Sequence, residues 1–534
     1  VALGTGDPTT IGRRDLLRTG VFAGAALALP AARIVGANTT GRMAESRLPA
    51  PFTTPFHRPP DAVPVRSTAT CDYYRMEMRA VQADIIPGFK TTVFGYNGSV
   101  PGPTINAWTG RQTVVRHINS LPSVHPTLGY VPWTSVHLHG SASMPQYDGY
   151  ASDISYPGEY KDYHYPNHQQ ARTMWYHDHG LHHTAENAYH GLAGMYLLRD
   201  VEEQALPLPK GEYDVPLLIT DAMFASDGNL LFSLDDHSGH WGDVILVNGR
   251  PWPVMQVKRR RYRFRVCVAT VARSFQFSLS NRLNYQVIGT DGGLMPAPVT
   301  VTSHRQSSGE RYEIVVDFSR VPAGTRIVLN NTSPKNNRDY THTNKVMAFD
   351  VVADRFSTVD NTVPPVLSRR TDVMGLQPSQ SVATRSIRLE RHGGEWTVNG
   401  NTWKTVVDSG YRHTEATPLL HSAEIWELRN SSGGWFHPTH IHLVDFKILS
   451  RNGRPPFPYE VGPKDTVYLG ENETVRVLMR FERAGKYMVH CHNLLHEDHD
   501  MMSQYEVVSP DLAGDDPLAS AVPKSMEFEA FDPL

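Results

Sequence analysis

The sequence predicts an all-β protein made of three similar domains. Three observations carry this. Gly (41) and Pro (39) are abundant in the 534 residues while charged residues make up only 20%, the profile of a turn-rich β chain. The length suits about three or four domains of roughly 150 residues each. An Asn-Gly pair also recurs at a fixed interval, as Tyr96-Asn97-Gly98, Val247-Asn248-Gly249 and Val398-Asn399-Gly400, with 151 residues between successive copies. Asn-Gly is the preferred pair for a tight hairpin turn, because both residues tolerate positive φ. Each copy leads to an alternating run that reads as a strand: Gln112–Ile118, Tyr262–Val266 and Glu424–Leu428.

Taken in order, residues 1–37 carry Arg13-Arg14-Asp15-Leu16-Leu17-Arg18, a weakly apolar stretch from Val21 to Ala32, and the small residues Gly36-Ala37. That order resembles a twin-arginine export signal, so a protein beginning near Asn38 and working in the periplasm or outside the cell is expected. Residues 38–67 are rich in Pro and Thr and read as an extended arm. Domains are expected at 68–200, 201–353 and 385–508, with a linker at 354–384 that contains Pro364-Pro365 and a tail at 509–534. The run Lys258 to Arg265 is basic but alternates in its later part, and is expected to be a solvated strand face. No segment has the ~20 apolar residues of a membrane span. With 51 Lys+Arg against 54 Asp+Glu the net charge is −3, which gives nucleic acid no basic field to bind. A monomer is expected.

The histidines point to chemistry. There are 26, and four His-x-His pairs stand among them: His137/His139, His177/His179, His440/His442 and His490/His492. In a strand, residues i and i+2 share a face, so each pair can offer two imidazoles to one cluster. Two pairs fall in the first domain, two in the third and none in the second, which predicts a metal cluster clamped between domains one and three with domain two as the spacer. Zinc is satisfied by four ligands. Eight imidazoles suit a multinuclear redox metal, and copper heads the affinity series for such ligands.

A second centre overlaps the first. His437 lies three residues before His440, and Cys491 sits between His490 and His492 with His496 and Met501 following. Two His, one Cys and a weak axial Met are blue-copper ligands. The Cys491 sulfur would hold that copper while its neighbours hold the cluster, giving a covalent path for electrons. Cys71 and Cys267 fall in different expected domains, and whether they pair stays open.

These motifs, His-x-His-Gly, His-x-His, His-x-x-His-x-His and His-Cys-His-x3-His-x4-Met, resemble those of the multicopper oxidase family over roughly residues 70–508. Within it, Gly434–Phe446 and His490–Met502 look most like the bilirubin oxidases, then the spore-coat-type laccases. The resemblance implies three cupredoxin Greek-key sandwiches and four copper ions. Type 1 copper would take His437, Cys491, His496 and Met501, with Met502 packing only. Type 2 would take His137 and His440. One type 3 ion would take His139, His177 and His492, the other His179, His442 and His490. Asp148 and Glu497 match acidic positions near the oxygen site and would supply protons. His164, His168, His182, His183 and His499 have no ligand spacing and are expected at the surface or hydrogen-bonded behind the ligands.

The expected activity is one-electron oxidation of bilirubin, phenols or related aromatic donors at the type 1 copper, coupled to four-electron reduction of O2 to water. The resemblance makes His437 the ligand nearest the surface, with Trp435 and Phe436 as an apolar rim for a flat donor. Phenol oxidation as a laccase, Cu(I) oxidation and non-enzymatic copper binding are the alternatives. The 16 methionines are scattered rather than gathered in an insert, which disfavours Cu(I).

Overall fold

The computed structural model describes residues 41–233, 237–334, 340–353 and 357–509. The twin-arginine segment and all but the first residue of the C-terminal tail lie outside them. The described chain folds into six sheets, two in each third of the sequence. The first pair joins Cys71–Ala83, Thr91–Tyr96, Gln112–Asn119 and Tyr160–Tyr165 in one sheet, and Gly102–Trp108, Val136–His139, Arg172–Asp178 and Ala193–Arg199 in the other. The middle third has a seven-stranded and a five-stranded sheet, and the last third a five-stranded and a four-stranded one.

The internal repeat is structural. In each third a long strand pairs in parallel with a strand that begins 12 to 23 residues after the glycine of its Asn-Gly turn: Cys71–Ala83 with Gln112–Asn119, Asp214–Ala222 with Arg261–Val268, and Ser381–His392 with Ala423–Asn430. Asn97, Asn248 and Asn399 have φ of 51°, 50° and 53°, and the glycines after them are also positive. The three asparagine side chains accept the same kind of bond, from the backbone N–H groups of Glu77 (2.8 Å), Leu218 (2.8 Å) and Arg388 (2.7 Å).

Each sandwich buries an apolar interior. Tyr74, Met76, Tyr163 and Leu198 belong to the first, Trp252, Phe264, Ile314 and Phe349 to the second, and Trp426, Phe446, Val477 and Tyr487 to the third. Residues 41–67 run across the second domain, where Phe52 and Phe56 bond to the Trp252 and Val254 carbonyls, and then along the first, where Ala62 bonds to Thr104. Cys71 and Cys267 are free, buried thiols in separate apolar clusters. No helix among the described residues is long and apolar enough to cross a membrane.

The basic strand corrects an expectation. Arg260, Arg263 and Arg265 are buried, not solvated. Arg263 and Arg265 pair with Glu203, Asp214 and Glu313, and Glu313 also accepts from Thr173 of the first domain. The face packs against another domain, and alternation has the same period whether the polar side meets water or buried acids.

Candidate metal centres

Four strands carry the histidine pairs. Val136–His139 runs antiparallel to Arg172–Asp178 with His137 opposite His177, and His437–Ile441 runs antiparallel to Gly485–Cys491 with His440 opposite His490. The first and third domains abut along these strands, so imidazoles of one stack on those of the other. His137 lies over His442 with ring centroids 4.0 Å apart, and His139 over His440 at 3.7 Å. Nε2 of His490 is 3.3 Å from that of His179 and 3.1 Å from that of His442.

All eight imidazoles are buried. Burial holds His137, His139, His177, His179, His440, His442 and His492 below the ordinary histidine range, and neighbouring imidazoles push them further: His177 to about 3 and His179 to about 4. Neutral imidazole is the form that binds a metal. Outer nitrogens are anchored, Nδ1 of His137 to the Asp148 carbonyl (2.6 Å), of His177 to that of Asp178 (2.8 Å) and of His440 to that of Asp465 (2.9 Å). In each of these rings Nε2 is buried without a hydrogen-bond partner, as are Nε2 of His492 and Nδ1 of His139 and His179. Orphaned nitrogens at this density are costly unless a cation accepts their lone pairs.

The ligating atoms of His179, His442 and His490 converge within 4.8 Å of one another, as do those of His137, His440 and His442. The triple His139, His177 and His492 is looser, with ring centroids 5.0 to 5.8 Å apart. The His139 ring is turned so that Nε2 meets Thr466 Oγ1 (2.9 Å) and Asp465 Oδ1 (3.1 Å).

The second group is His437, Cys491 and His496. Their Nδ1 atoms lie 3.3 and 3.7 Å from the Cys491 sulfur and 3.2 Å from each other. Met501 is buried in the same apolar cluster as Cys491, whereas Met502 packs elsewhere, with Tyr150 and Trp403. Cys491 thus stands between two histidines of the cluster while its sulfur belongs to the other centre.

The chain is similar to known proteins. Descriptions of the multicopper oxidase family match residues 77–203, 216–350 and 388–511. The chain is 42% identical over 487 residues to a bilirubin oxidase of Albifimbria verrucaria, covering 86% of this chain and 82% of that protein. It is 33% identical to a laccase of Bacillus subtilis (strain 168), covering 84% and 97%. The chain belongs to the multicopper oxidase family. Among solved structures it superposes on the McoA multicopper oxidase of Aquifex aeolicus with a TM-score of 0.72 and 30% identity, covering 85% of this chain and 100% of that one. A laccase from Pediococcus acidilactici gives 0.76 at 28% identity, with 86% and 95% covered. The protein is therefore an oxidoreductase that uses O2, a copper protein, and its sandwiches are cupredoxin-like.

Two carboxylates face the oxidase's cluster. Asp148 Oδ2 accepts from His442 Nδ1 at 2.8 Å, and Oδ1 is 3.5 Å from His137 Nδ1. Burial holds the Asp148 carboxyl well above the usual range, and Lys161 offsets only part of this. Glu497 lies with Oε2 3.0 Å from His490 and Oε1 3.4 Å from His179, in poor alignment for hydrogen bonds. Burial alone would raise the Glu497 carboxyl, but His490 and His179 outweigh it and hold it well below the usual range.

Three groups escaped the sequence reading. Asp465 touches His139 and His440 and is gripped by Arg311 of the middle domain. Ser308 Oγ meets His492 Nδ1 at 3.1 Å, and Gly309 lies against the His492 ring. Domain two is thus more than a spacer, because its 307–311 turn backs the cluster. Trp396 stacks on His496 at 3.9 Å. None of these has ligand spacing that a sequence search could use.

The donor side also differs from expectation. His437 is fully buried, with Nε2 bonded to Ser432 Oγ at 2.6 Å. Phe436 is buried against Tyr468 with parallel rings at 4.8 Å, so it forms no rim. Trp435 is half-buried, edge-on to His496. Phe436 stands just before the strand His437–Ile441 and turns inward to stack on Tyr468, a direction that composition cannot reveal.

Proposed function

We propose that this oxidase takes electrons singly from bilirubin or related aromatic donors and uses four of them to reduce O2 to two waters. The observation that carries the reading is the place of Cys491, whose sulfur groups with His437 and His496 while His490 and His492 on either side belong to the imidazole cluster. Four copper ions, one in the Cys491 group and three in the cluster, would supply the one-electron acceptance and the O2 chemistry. The residues would hold them as the family motifs imply: His437, Cys491, His496 and Met501 for type 1, His137 and His440 for type 2, and the two remaining triples for type 3.

The chain's own work is positioning and proton supply. Anchored Nδ1 atoms keep the His137, His177 and His440 rings aimed inward. Asp148, whose carboxyl burial keeps protonated where a surface aspartate is ionised, gives a proton toward the cluster. Glu497, held ionised, sets a negative charge next to His490 and His179 and has no proton of its own to give. Buried walls around the rings exclude bulk water from the developing oxygen charge.

The 42% identity to a bilirubin oxidase supports bilirubin as donor, and the 33% identity to laccases supports phenols as a second class. A donor panel with the copper-loaded protein tests this: bilirubin should yield biliverdin with a higher kcat/KM than simple phenols. No bilirubin turnover would make the enzyme a laccase. Arg13-Arg14 supports export by the twin-arginine route to the periplasm or beyond.

A further inference from the structure

One guanidinium behind the imidazole cluster joins all three domains. Arg311, wholly buried in the second domain, uses each of its five N–H donors. Nε donates to the Thr173 carbonyl of the first domain (3.0 Å), and Nη1 to the Gly309 carbonyl (2.9 Å) and to Asp465 Oδ1 of the third domain (2.7 Å). Nη2 donates to the Asp291 carbonyl (3.2 Å) and to Asp465 Oδ2. Asp291 tightens the grip from the second domain, because its Oδ1 accepts from the Arg311 backbone N–H (2.7 Å) and its Oδ2 from those of Asp465 and Thr466 (3.3 Å each).

The carboxylate so held stands on the outer side of two cluster histidines. His139 turns Nε2 to Asp465 Oδ1 (3.1 Å), and His440 turns Nδ1 to the Asp465 carbonyl (2.9 Å), with Oδ1 3.6 Å away. Nδ1 of His139 and Nε2 of His440 are left as the buried nitrogens without a partner. The outer side could itself hold a metal, since ligand atoms of His139, His440 and Asp465 lie within 4.8 Å of one another. A metal there would need the carboxylate oxygens that Arg311 already occupies, and a guanidinium bonded to both of them repels a second cation. The pair thus closes the outer side and leaves the inner nitrogens open.

We infer that Arg311 is a positioning residue for the cluster: pinned by all three domains, it holds Asp465 behind His139 and His440 so that copper is taken and kept at their inner nitrogens. The inference rests on the reading that His440 serves the type 2 copper and His139 a type 3 ion. It gives the second domain, which holds none of the assigned ligands, a part in the site, and it ties copper retention to the seating of all three domains. Lysine has three donors where this arginine uses five, and it lacks the fork that meets both carboxylate oxygens. Charge alone therefore does not replace Arg311.

The test is electron paramagnetic resonance and chelator competition on copper-loaded wild type, Arg311→Lys and Asp465→Asn, with Arg265→Lys as control. Arg265 is a matched case: it is buried and bonds to Thr173 of the first domain and to Glu203, Asp214 and Glu313 of the second, but its bonds among the described residues reach no cluster histidine. In Arg311→Lys and Asp465→Asn the hyperfine splitting of the type 2 resonance should change. Type 2 copper should also be lost at about one-tenth of the chelator concentration that the wild type withstands, the low end of what groups behind metal ligands contribute. Arg265→Lys should lower the unfolding midpoint yet keep the wild-type resonance and retention. The blue band reports that each variant has folded. A wild type without a type 2 resonance would condemn the copper assignment itself. With that resonance present, unchanged splitting and retention in whichever of the Arg311 and Asp465 variants is blue, or the same loss in Arg265→Lys, overturns the inference.

Discussion

At the scale of single residues, two carboxyls at one cluster have opposite character, and the difference is local. Burial raises both; Asp148 is answered only by a partial pull from Lys161, whereas Glu497 lies against two imidazoles. Asp148 therefore keeps a proton to give as pH rises past the usual aspartate range, and loses it only at its own higher pKa. Asp148→Asn should still accept electrons at the type 1 site without oxygen, but reoxidise in air about 100-fold slower, the low end of general-acid contributions. Wild-type reoxidation should slow as pH rises through the raised pKa, and the variant should lose that limb. Stopped-flow reoxidation across pH checks both, and normal reoxidation of the variant would reduce Asp148 to a turn residue before Gly149.

At the scale of elements, the 307–311 turn shows what a motif search misses. Gly309 has φ +83°, and a Cβ there would sit 2.8 Å from His492 Cδ2 and 3.1 Å from His139 Cε1. Gly309→Ala should cost about 1 kcal/mol in backbone strain alone, and displacing His492 should lower the cluster's copper content. Blue absorption should persist, since the strained turn contacts cluster rings. Metal analysis with thermal unfolding decides, and full copper with an unchanged midpoint would contradict the close approach. The three Asn-Gly turns were legible because their turn chemistry recurs at a fixed interval of 151 residues, and the four histidine pairs because they obey the period of a strand. Ser308, Arg311 and Asp465 were not, because they reach the cluster from turns and a neighbouring domain, where spacing carries no signal. The Arg263/Arg265 strand shows the converse: its period was read correctly and its surroundings were not. Phe436 was misread for a related reason, since its burial is set by Tyr468, a contact 32 residues away in sequence that spacing does not show.

At the scale of the whole molecule, the first and second sandwiches bury histidines away from the metal centres, and these make stability depend on pH. His117, among Tyr96, Tyr163 and Tyr176, is lowered to about 3 by burial, with Asp162 countering in part, and burial lowers His304 to about 4. In the unfolded chain such groups titrate near 6.5, so between that pH and the folded values the unfolded state binds more protons. Their stabilisation is fully present above pH ~6.5 and is lost as pH falls, by about 1.4 kcal/mol per pH unit for each histidine. His117→Phe should flatten the dependence by one proton. Denaturant midpoints of wild type and variant between pH 7 and 5 check this, and parallel curves would contradict it. The same architecture brings distant segments together at Cys491, whose sulfur belongs to one centre while its neighbours His490 and His492 belong to the other. The most direct measurement is therefore the spectrum and turnover of copper-loaded Cys491→Ser: blue absorption and O2 consumption should both vanish while the type 2 resonance of the cluster remains, and a variant that stays blue or still turns over would contradict the account.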